Sequence, residues 1–314
     1  MDMSILVIGG AGFIGRRLIP LLVAENKAVT CMDVDVSGAK AAFATHGDKV
    51  KVVRGDVTAF DDVIGAMIDS KAKTVVNLSY FIGDLAPHVA FKLDIQGMDN
   101  CFEAARRTGV KHTIFASSLA VSGNQSTFGE RMVDETDERH GTSQYAVNKI
   151  TNEWQAHDYR RACGMTITCI RPANVTGPDK KFGSIDHVNC MSQPARGKSI
   201  SFPHEDTMRC VIHVSDMAEV FARVALTDKP QHETYNSGGI TVSLGELAAL
   251  VKEFLPDADI RFEKETGGRE KSGSFLIDNS RLIQEFGLQY QPLRDRVKEV
   301  INDIRRGEGL PDVG

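Results

Sequence analysis

The sequence has no long run of apolar residues. The N-terminal segment MDMSILVIGG holds a short apolar run that two glycines end, and no other window approaches the roughly 18 apolar residues of a membrane-spanning helix. The short run is also unlike a secretory signal. We therefore expect a cytoplasmic protein with no targeting segment and no membrane partner.

Charge of one sign is also missing, because 37 lysines and arginines stand against 42 aspartates and glutamates, for a formal net charge of −5. Such a balance gives no support for a nucleic-acid partner. The six cysteines form no C-x-x-C pair and the nine histidines show no spacing suited to zinc, so we expect no metal site and no disulfide framework. The 28 glycines and 10 prolines are too few for a collagen-like or low-complexity chain.

The first 170 residues contain a regular alternation of short β-branched runs with amphipathic stretches. That alternation predicts βαβ units, and the near-continuous apolar runs predict strands buried on both faces of a parallel sheet. The predicted fold class is therefore α/β, with a doubly wound parallel (Rossmann) sheet. The strands are predicted at residues 4–8, 29–34, 50–54, 74–78, 113–116 and 166–170, and two long helices at 87–107 and 145–162.

The character of the chain changes after Arg171. Residues 172–208 are rich in Gly, Pro, Ser and Lys, which is typical of a loop-rich segment. Later runs predict strands at 210–213, 235–236 and 260–262, and helices at 217–226, 244–254 and 293–306. We therefore expect a large domain of residues 1–171 plus about 209–240, and a smaller α/β lobe of about 172–208 plus 241–314.

A glycine motif follows the first predicted strand. GGAGFIG places Gly9, Gly12 and Gly15 in a G-x-x-G-x-x-G spacing at a strand-to-helix turn. Glycines permit close approach of the backbone to a pyrophosphate, and the helix directs free N–H groups and its positive dipole end at the anion. The motif predicts a dinucleotide-binding domain, the alternative being a glycine turn that only packs a helix on a strand.

Acidic residues end the second and third predicted strands. Asp33 lies 18 residues after Gly15, close to the interval at which a carboxylate binds the adenosine ribose hydroxyls. Because this carboxylate would repel the 2′-phosphate of NADP, we predict NAD as the cofactor, the alternative for Asp33 being a solvated strand-end acid. Asp56 and Val57 end the third strand, where a carboxylate can accept the adenine amino group.

A tyrosine and a lysine share one face of a predicted helix. Tyr145 and Lys149 form a Y-x-x-x-K pair at i, i+4 spacing. A phenol with a pKa near 10 needs a neighbouring cation before it can take a proton from an alcohol near neutral pH. The pair occurs by chance in many helices, but here it follows Ser117 and Ser118, at the carboxyl end of the fifth strand, where open α/β sheets bind ligands.

Seven motifs together resemble the extended short-chain dehydrogenase/reductase family, also called the NAD-dependent epimerase/dehydratase family. The motifs are GGAGFIG, GDV at 55–57, GVKHTIFASSLAVSG at 109–123, YAVNK at 145–149, RPANVTGP at 171–178, RCVIHVSDMAE at 209–219 and YNSGG at 235–239. The resemblance implies Ser118, Tyr145 and Lys149 as catalytic residues, and a homodimer paired through the helices at 87–107 and 145–162. The cofactor-binding residues that it implies are Gly9, Gly12, Phe13, Ile14, Gly15, Asp33, Asp56, Val57, Leu78, Ser79, Ser117, Tyr145, Lys149 and Pro172.

The substrate is less constrained by the resemblance. Asn174 and Arg209 match the positions at which sugar nucleotide epimerases of the family hold the diphosphate, and Ser118 and Tyr145 complete the implied substrate site. Against a nucleotide, relatives commonly have Tyr where this chain has Ser122, and residues 180–206 carry no nucleotide signature. Asp94 also replaces a frequent Asn. We predict a sugar nucleotide or sugar-like substrate, with a smaller sugar acid or aryl alcohol as the alternative.

Hydride transfer at a secondary alcohol or ketone is the predicted reaction. Release of the ketone would make the protein a dehydrogenase, and return of hydride to the other face an epimerase. A dehydratase ranks last, because Leu119 and Ala120 stand where dehydratases usually add a carboxylate. A non-catalytic NAD-binding regulator is the remaining alternative.

Overall fold

A seven-stranded parallel sheet organises the larger part of the molecule. The computed structural model describes residues 4–81, 83 and 85–314. The strands of this sheet, numbered in chain order, are β1 (Ser4–Ile8), β2 (Ala28–Asp33), β3 (Val50–Arg54), β4 (Thr74–Asn77), β5 (His112–Ala116), β6 (Ile167–Arg171) and β10 (Thr234–Asn236). They lie in the order β10-β6-β5-β4-β1-β2-β3, and all pairings are parallel. The predicted Rossmann-like α/β fold is confirmed.

Helices cover both faces of this sheet. They are α1 (Gly15–Ala24), α2 (Val36–Phe43), α3 (Phe60–Ser70), α4 (Pro87–Ala90), α5 (Gly97–Thr108), α6 (Gln144–Cys163) and α8 (Val214–Ala225). The buried strand β1 shows why two layers form: Ile5 and Val7 join the core with α1 and α8, whereas Leu6 and Ile8 join the core with α3 and α5. Alternate side chains of a strand point to opposite faces, so a fully apolar strand needs helices on both.

The remaining elements form two small sheets and a second core. Strands β7 (Asn174–Thr176), β9 (Met208–His213) and β11 (Ile240–Ser243) form one sheet, and β8 (Ile200–His204) pairs with β12 (Ile260–Lys264). Helices α7 (Asp186–Ala195), α9 (Leu244–Phe254) and α11 (Leu293–Gly307) pack together around Met191, Leu247 and Val300. Helix α10 (Ser280–Phe286) lies against β10. Within the described residues, no helix has the length and apolar character that a membrane span requires.

Two predicted segments differ from the structure. The loop-rich segment 172–208 also contains three regular elements that were not predicted, β7, α7 and β8. Pro194 lies inside α7 and interrupts the residue pattern from which a helix is predicted. The predicted helix at 87–107 is interrupted by a π-helical turn at Phe91–Gln96. Of the segment expected to return to the large domain, α8 and β10 lie on the large sheet and β9 lies in the three-stranded sheet.

Candidate active site

The glycine loop after β1 is held against the loop after β4. Gly9 has a φ of +74°, and a Cβ atom there would lie 2.8 Å from the backbone nitrogen of Ser79. A Cβ atom at Gly15, where α1 begins, would lie 2.5 Å from the carbonyl oxygen of Gly10. Both positions therefore require glycine, and this glycine loop leads directly from the carboxyl end of β1 into the amino end of α1.

The Asp33 carboxylate is fixed beside this loop. Its Oδ2 accepts a hydrogen bond from the backbone nitrogen of Ala11 at 2.9 Å, and its Oδ1 accepts one from the backbone nitrogen of Asp35 at 3.0 Å. Carboxylate oxygens have further lone pairs that can accept from a ligand. The carboxylate thus lies at the end of β2, next to the glycine loop, as the spacing predicts.

The other predicted cofactor residues line the ends of β3 and β4. Asp56 accepts hydrogen bonds from Thr58 at 2.9 Å and 2.8 Å, and Val57 is buried. Leu78 donates its backbone N–H to Ile8, and the hydroxyl of Ser79 turns back toward Asn77. These contacts hold the two loops next to the end of β1.

Phe13 and Ile14 form the turn into α1, and the helix then makes contacts with the second half of the chain. Arg16 and Arg17 both bind the carboxylate of Asp179, with N–O distances of 2.8 Å and 2.7 Å. The Arg17 guanidinium also lies over the Phe13 ring, 5.2 Å from its centre. Salt bridges therefore link α1, which follows the glycine loop, to the segment after β7.

Ser117 and Ser118 have different partners at the end of β5. The Ser117 hydroxyl donates at 2.7 Å to Glu153, which forms a buried ion pair with Arg171, so the proton of this hydroxyl is already engaged within the protein. The Ser118 Oγ accepts from the backbone nitrogen of Ala120 at 3.1 Å and keeps its proton for another partner. Pro172 lies beside this turn, because its carbonyl accepts from the backbone nitrogen of Leu119 at 3.0 Å.

Tyr145 and Lys149 lie in the first turns of α6 on the face toward Ser118. Lys149 is buried and donates to the carbonyl oxygen of Ala116 at 2.6 Å. Its ammonium nitrogen lies 5.8 Å from the centre of the Tyr145 ring. Burial raises the pKa of Tyr145 to about 12, and the Ser118 hydroxyl has the opposite, smaller effect of lowering that pKa. The three predicted catalytic residues are thus together at one site.

Two residues that sequence reasoning gave no role complete this cluster. The Tyr80 ring covers the Lys149 ammonium and meets the Tyr145 ring edge-on, with the ring centres 5.4 Å apart. Asp94 lies in the π-helical turn and is buried, and it accepts a hydrogen bond from Asn148 at 3.2 Å. Two features of the sequence could have indicated these residues: Asp94 stands where relatives frequently have Asn, and Tyr80 is an aromatic residue shortly after the end of β4.

Burial and charge act in opposite directions on these groups. Burial lowers the pKa of Lys149 to about 7, although the nearby carboxylate of Asp94 favours the charged ammonium. Burial likewise raises the pKa of Asp94, and hydrogen bonds from Asn148 and Phe81 oppose that shift. The ammonium is therefore only partly charged near neutral pH, and an anion beside it favours its protonation.

The two predicted diphosphate residues lie on neighbouring strands. Asn174 on β7 accepts a hydrogen bond from the backbone nitrogen of Cys210 at 3.2 Å. Arg209 on β9 forms a salt bridge with Asp186, the first residue of α7, with Nε 3.1 Å from Oδ1. The structure brings the two residues together, but it gives Arg209 a protein carboxylate as partner, which the sequence did not indicate.

The residues present fit a dinucleotide. The glycine loop, which has no room for a Cβ atom at Gly9 or Gly15, leads from the carboxyl end of β1 into the amino end of α1. The Asp33 carboxylate lies next to this loop, at the carboxyl end of β2. In the part of the chain that the structure describes, no cluster of three or more His, Cys, Asp or Glu side chains could hold a metal ion.

Comparison with known proteins points to one family. Residues 5–238 match the sequence model of the NAD dependent epimerase/dehydratase family. The UDP-glucose 4-epimerase of Mycolicibacterium smegmatis is 28% identical over 307 residues, which cover 92% of this chain and 94% of that protein.

Solved structures share the fold at lower identity. The NAD complex of UDP-glucose 4-epimerase from Thermus thermophilus superposes with a TM-score of 0.83 at 21% identity, over 96% of this chain and 99% of that one. L-threonine dehydrogenase from Clostridium difficile gives a TM-score of 0.84 at 18% identity, over 99% of both chains. The same fold thus carries proteins named for quite different substrates.

Proposed function

The chain belongs to the NAD-dependent epimerase/dehydratase family, and from this premise we propose that it transfers hydride at a secondary alcohol or ketone, with Tyr145, Lys149 and Ser118 as catalytic residues. The observation that carries the proposal is the cluster at the end of β5. A buried ammonium lies 5.8 Å from the ring centre of a phenol, and the neighbouring Ser118 hydroxyl lowers the pKa of that phenol. A protein that only bound NAD would not need this proton-transfer group.

When bound, NAD, the cofactor of the family, would supply a hydride acceptor for the substrate carbon, and its reduced form a hydride donor in the reverse direction. Tyr145 takes the hydroxyl proton during oxidation and returns it during reduction. In the free protein its pKa is about 12, so the phenolate is scarce until positive charge is close. Lys149 adds positive charge beside the phenol when it is protonated, and the nicotinamide ring of bound NAD would add the rest. Ser118 donates a hydrogen bond to the substrate oxygen as negative charge develops there.

The outcome depends on what happens to the ketone. Its release makes the protein a dehydrogenase, and its reduction on the other face makes it an epimerase. Leu119, a buried apolar residue, follows Ser118 in place of the acidic residue that we expect beside the serine in a dehydratase. Oxidation and epimerisation are therefore the two outcomes that we propose.

The cofactor site that we propose lies along the carboxyl ends of β1 to β4. The glycine loop receives the pyrophosphate, Asp33 accepts from the adenosine ribose, and Asp56 and Val57 border the adenine. Leu78, Ser79 and Pro172 border the nicotinamide half. The positions of these residues around one edge of the sheet support this arrangement.

For the substrate we propose a sugar nucleotide, held through its diphosphate by Asn174 and Arg209. Relatives across nearly the whole chain are named for such substrates, the UDP-glucose 4-epimerase of M. smegmatis among them. A guanidinium suits this task because its planar fork meets two phosphate oxygens at once. A smaller non-nucleotide alcohol is the second candidate, favoured by the salt bridge that already occupies Arg209.

The test is NAD reduction on a panel of UDP-sugars, hydroxy acids and aryl alcohols. With the substrate found, Tyr145→Phe should abolish turnover with little change in NAD affinity, and Lys149→Ala should weaken both. Removal of Ser118 should lower the rate by a factor on the order of 10². Tyr159→Phe is a matched control, because Tyr159 lies toward the C-terminal end of α6 and its hydroxyl bonds Asp99 on α5. Near-full activity in Tyr145→Phe would reject the mechanism.

We also propose a homodimer that pairs the helices α4, α5 and α6 of two copies. Large apolar side chains are exposed there, with Phe91, in the π-helical turn between α4 and α5, 60% accessible and Trp154 on α6 56% accessible. Light scattering at micromolar concentration should give the mass of a dimer, and Trp154→Glu should give a monomer. Ile68→Glu, an equally exposed position on α3, is the control and should leave the dimer intact.

A cytoplasmic location is the last part of the proposal. The six cysteines are free thiols, and five of them are buried. Free thiols persist in reducing compartments, which agrees with this location. Fractionation of cells expressing the full chain tests it.

A further inference from the structure

All three nitrogens of the Arg209 guanidinium donate hydrogen bonds within the protein, which engages three of its five N–H groups. Its Nε donates to Oδ1 of Asp186 at 3.1 Å, its Nη2 donates to Oδ2, and its Nη1 donates to the carbonyl oxygen of Met208 at 2.7 Å. The Arg209 and Asp186 side chains are only 15% and 27% exposed. The two parallel hydrogen bonds to one carboxylate have the geometry with which arginine also binds phosphate.

Asp186 is well held in this position. Hydrogen bonds from His187 and Arg209 outweigh the effect of burial and hold the pKa of the Asp186 carboxyl well below its usual range. The backbone nitrogen of His187 donates to it at 2.7 Å, and the carboxylate lies at the start of α7, where the helix dipole favours negative charge. The Asp186 carboxylate is therefore charged near neutral pH.

A second cation lies close to this pair. Lys180 donates its ammonium to the carbonyl oxygen of Val175 at 2.8 Å, on the strand that carries Asn174. Burial lowers the pKa of Lys180 to about 8, while the carboxylate of Asp186 works against that shift. Two cations and one carboxylate therefore face the place where Asn174 and Arg209 would meet a substrate.

We propose that Asp186 is a specificity-determining residue that occupies the phosphate-binding fork of Arg209, so that a diphosphate substrate binds only by taking the place of the carboxylate. A neutral sugar leaves the salt bridge closed. A diphosphate breaks the salt bridge, because its oxygens accept both hydrogen bonds from Arg209 and its negative charge also attracts Lys180. Asp186 then keeps its hydrogen bond at the start of α7. This inference rests on the proposed function, since it takes the diphosphate as the ligand of Arg209.

The experiment is calorimetric titration of UDP into the NAD-loaded protein. Asp186→Asn keeps the shape of the side chain and removes its charge, so it should tighten UDP binding by about tenfold. Arg209→Ala should weaken UDP binding, and the double variant should bind UDP no better than Arg209→Ala alone. Asp303→Asn removes the same charge from an ion pair with Arg306 on α11, and it should leave UDP affinity unchanged.

UDP affinity that Asp186→Asn does not improve would overturn the proposal, and so would the absence of UDP binding in both proteins. A gain that persists without Arg209 would overturn it as well. Asp186→Ser, which keeps a polar acceptor at the start of α7, replaces the asparagine variant if that one loses NAD binding. The UDP titrations do not depend on the turnover test with Tyr145→Phe. A negative result in the titrations therefore rejects the role of Asp186 without rejecting the hydride-transfer mechanism.

Discussion

The ammonium nitrogen of Lys149 lies 3.3 Å from the centre of the Tyr80 ring. Lys149 is buried, and its other contact is the carbonyl oxygen of Ala116. A desolvated ammonium gains from the face of an aromatic ring, whose quadrupole is negative there. Tyr80 thus helps to keep a buried cation charged beside Tyr145.

Replacement of Tyr80 by leucine should therefore lower the pKa of Lys149 further below its value of about 7. The loss of about 0.5–2 kcal/mol of cation–π stabilisation corresponds to roughly one pKa unit, and leucine keeps water out of the space. The titration of ¹³C-labelled lysine by NMR measures it, with Lys149→Ala to assign the signal. Tyr80→Phe retains the ring and should titrate like the wild type, so an equal pKa in the Leu and Phe variants would contradict the prediction.

Asp33 should set the preference for NAD over NADP. Its carboxylate is held by Ala11 and Asp35 at the end of β2, and a 2′-phosphate placed against it would meet like charge. Dissociation constants for NADH and NADPH should differ by at least about tenfold, and Asp33→Ala with Val34→Arg should narrow the difference. Equal affinities in the wild type, or tighter NADPH, would remove the assignment. Val34→Arg alone is the control, since position 34 is exposed.

The glycine loop and the Tyr145, Lys149 and Ser118 cluster could be predicted because short-range rules place them. Gly9 and Gly15 sit at a strand-to-helix turn, and i, i+4 spacing fixes Tyr145 and Lys149 on one helix face. Parallel strands then bring their carboxyl ends to one edge, so motifs far apart in sequence meet there. The same rules gave most strand bounds within one residue.

The partners of those residues could not be predicted. Asp186 and Arg209 are 23 residues apart and meet only because α7 begins beside β9. Tyr80 lies in the loop after β4, and the sequence of a loop has no periodic pattern that would indicate which side chain Tyr80 contacts. Long-range pairs of this kind depend on how the small sheets pack, and no local pattern reports that packing.

His112 should make the folded state sensitive to acid. It is buried, and its Nε2 lies 2.8 Å from the Thr168 hydroxyl on the neighbouring strand. Burial lowers its pKa from 6.5 to about 4. The unfolded chain therefore binds a proton more readily, so stability is fully present above about pH 6.5 and falls as pH decreases toward 4.

The loss from this one group should be about 3 kcal/mol. Denaturant unfolding at several pH values measures it, and His112→Gln should flatten the decline between pH 6.5 and pH 4 by that amount. His157→Gln, at an exposed position, is the matched control and should leave the slope unchanged. An identical slope in the wild type and His112→Gln would show that the buried imidazole is not the source.

Lys180 should make the binding of UDP weaken in alkali. Its pKa is about 8 because it is buried, with the charge of Arg209 adding to the shift and that of Asp186 opposing it. A bound diphosphate raises the pKa of this ammonium, so the free protein loses its proton at lower pH than the complex. Affinity is then constant below about pH 7.5 and falls by about tenfold toward pH 9.5. The phosphate of UDP is already fully ionised in this range, since its last pKa is about 6.

Lys180→Arg retains a charge throughout and should give a flat profile in the same calorimetric titration, whereas Lys180→Met should bind UDP weakly at every pH. A wild-type profile that stays flat to pH 9.5 would mean that Lys180 does not contact the anion, and would leave Arg209 as the cation that Asp186 controls.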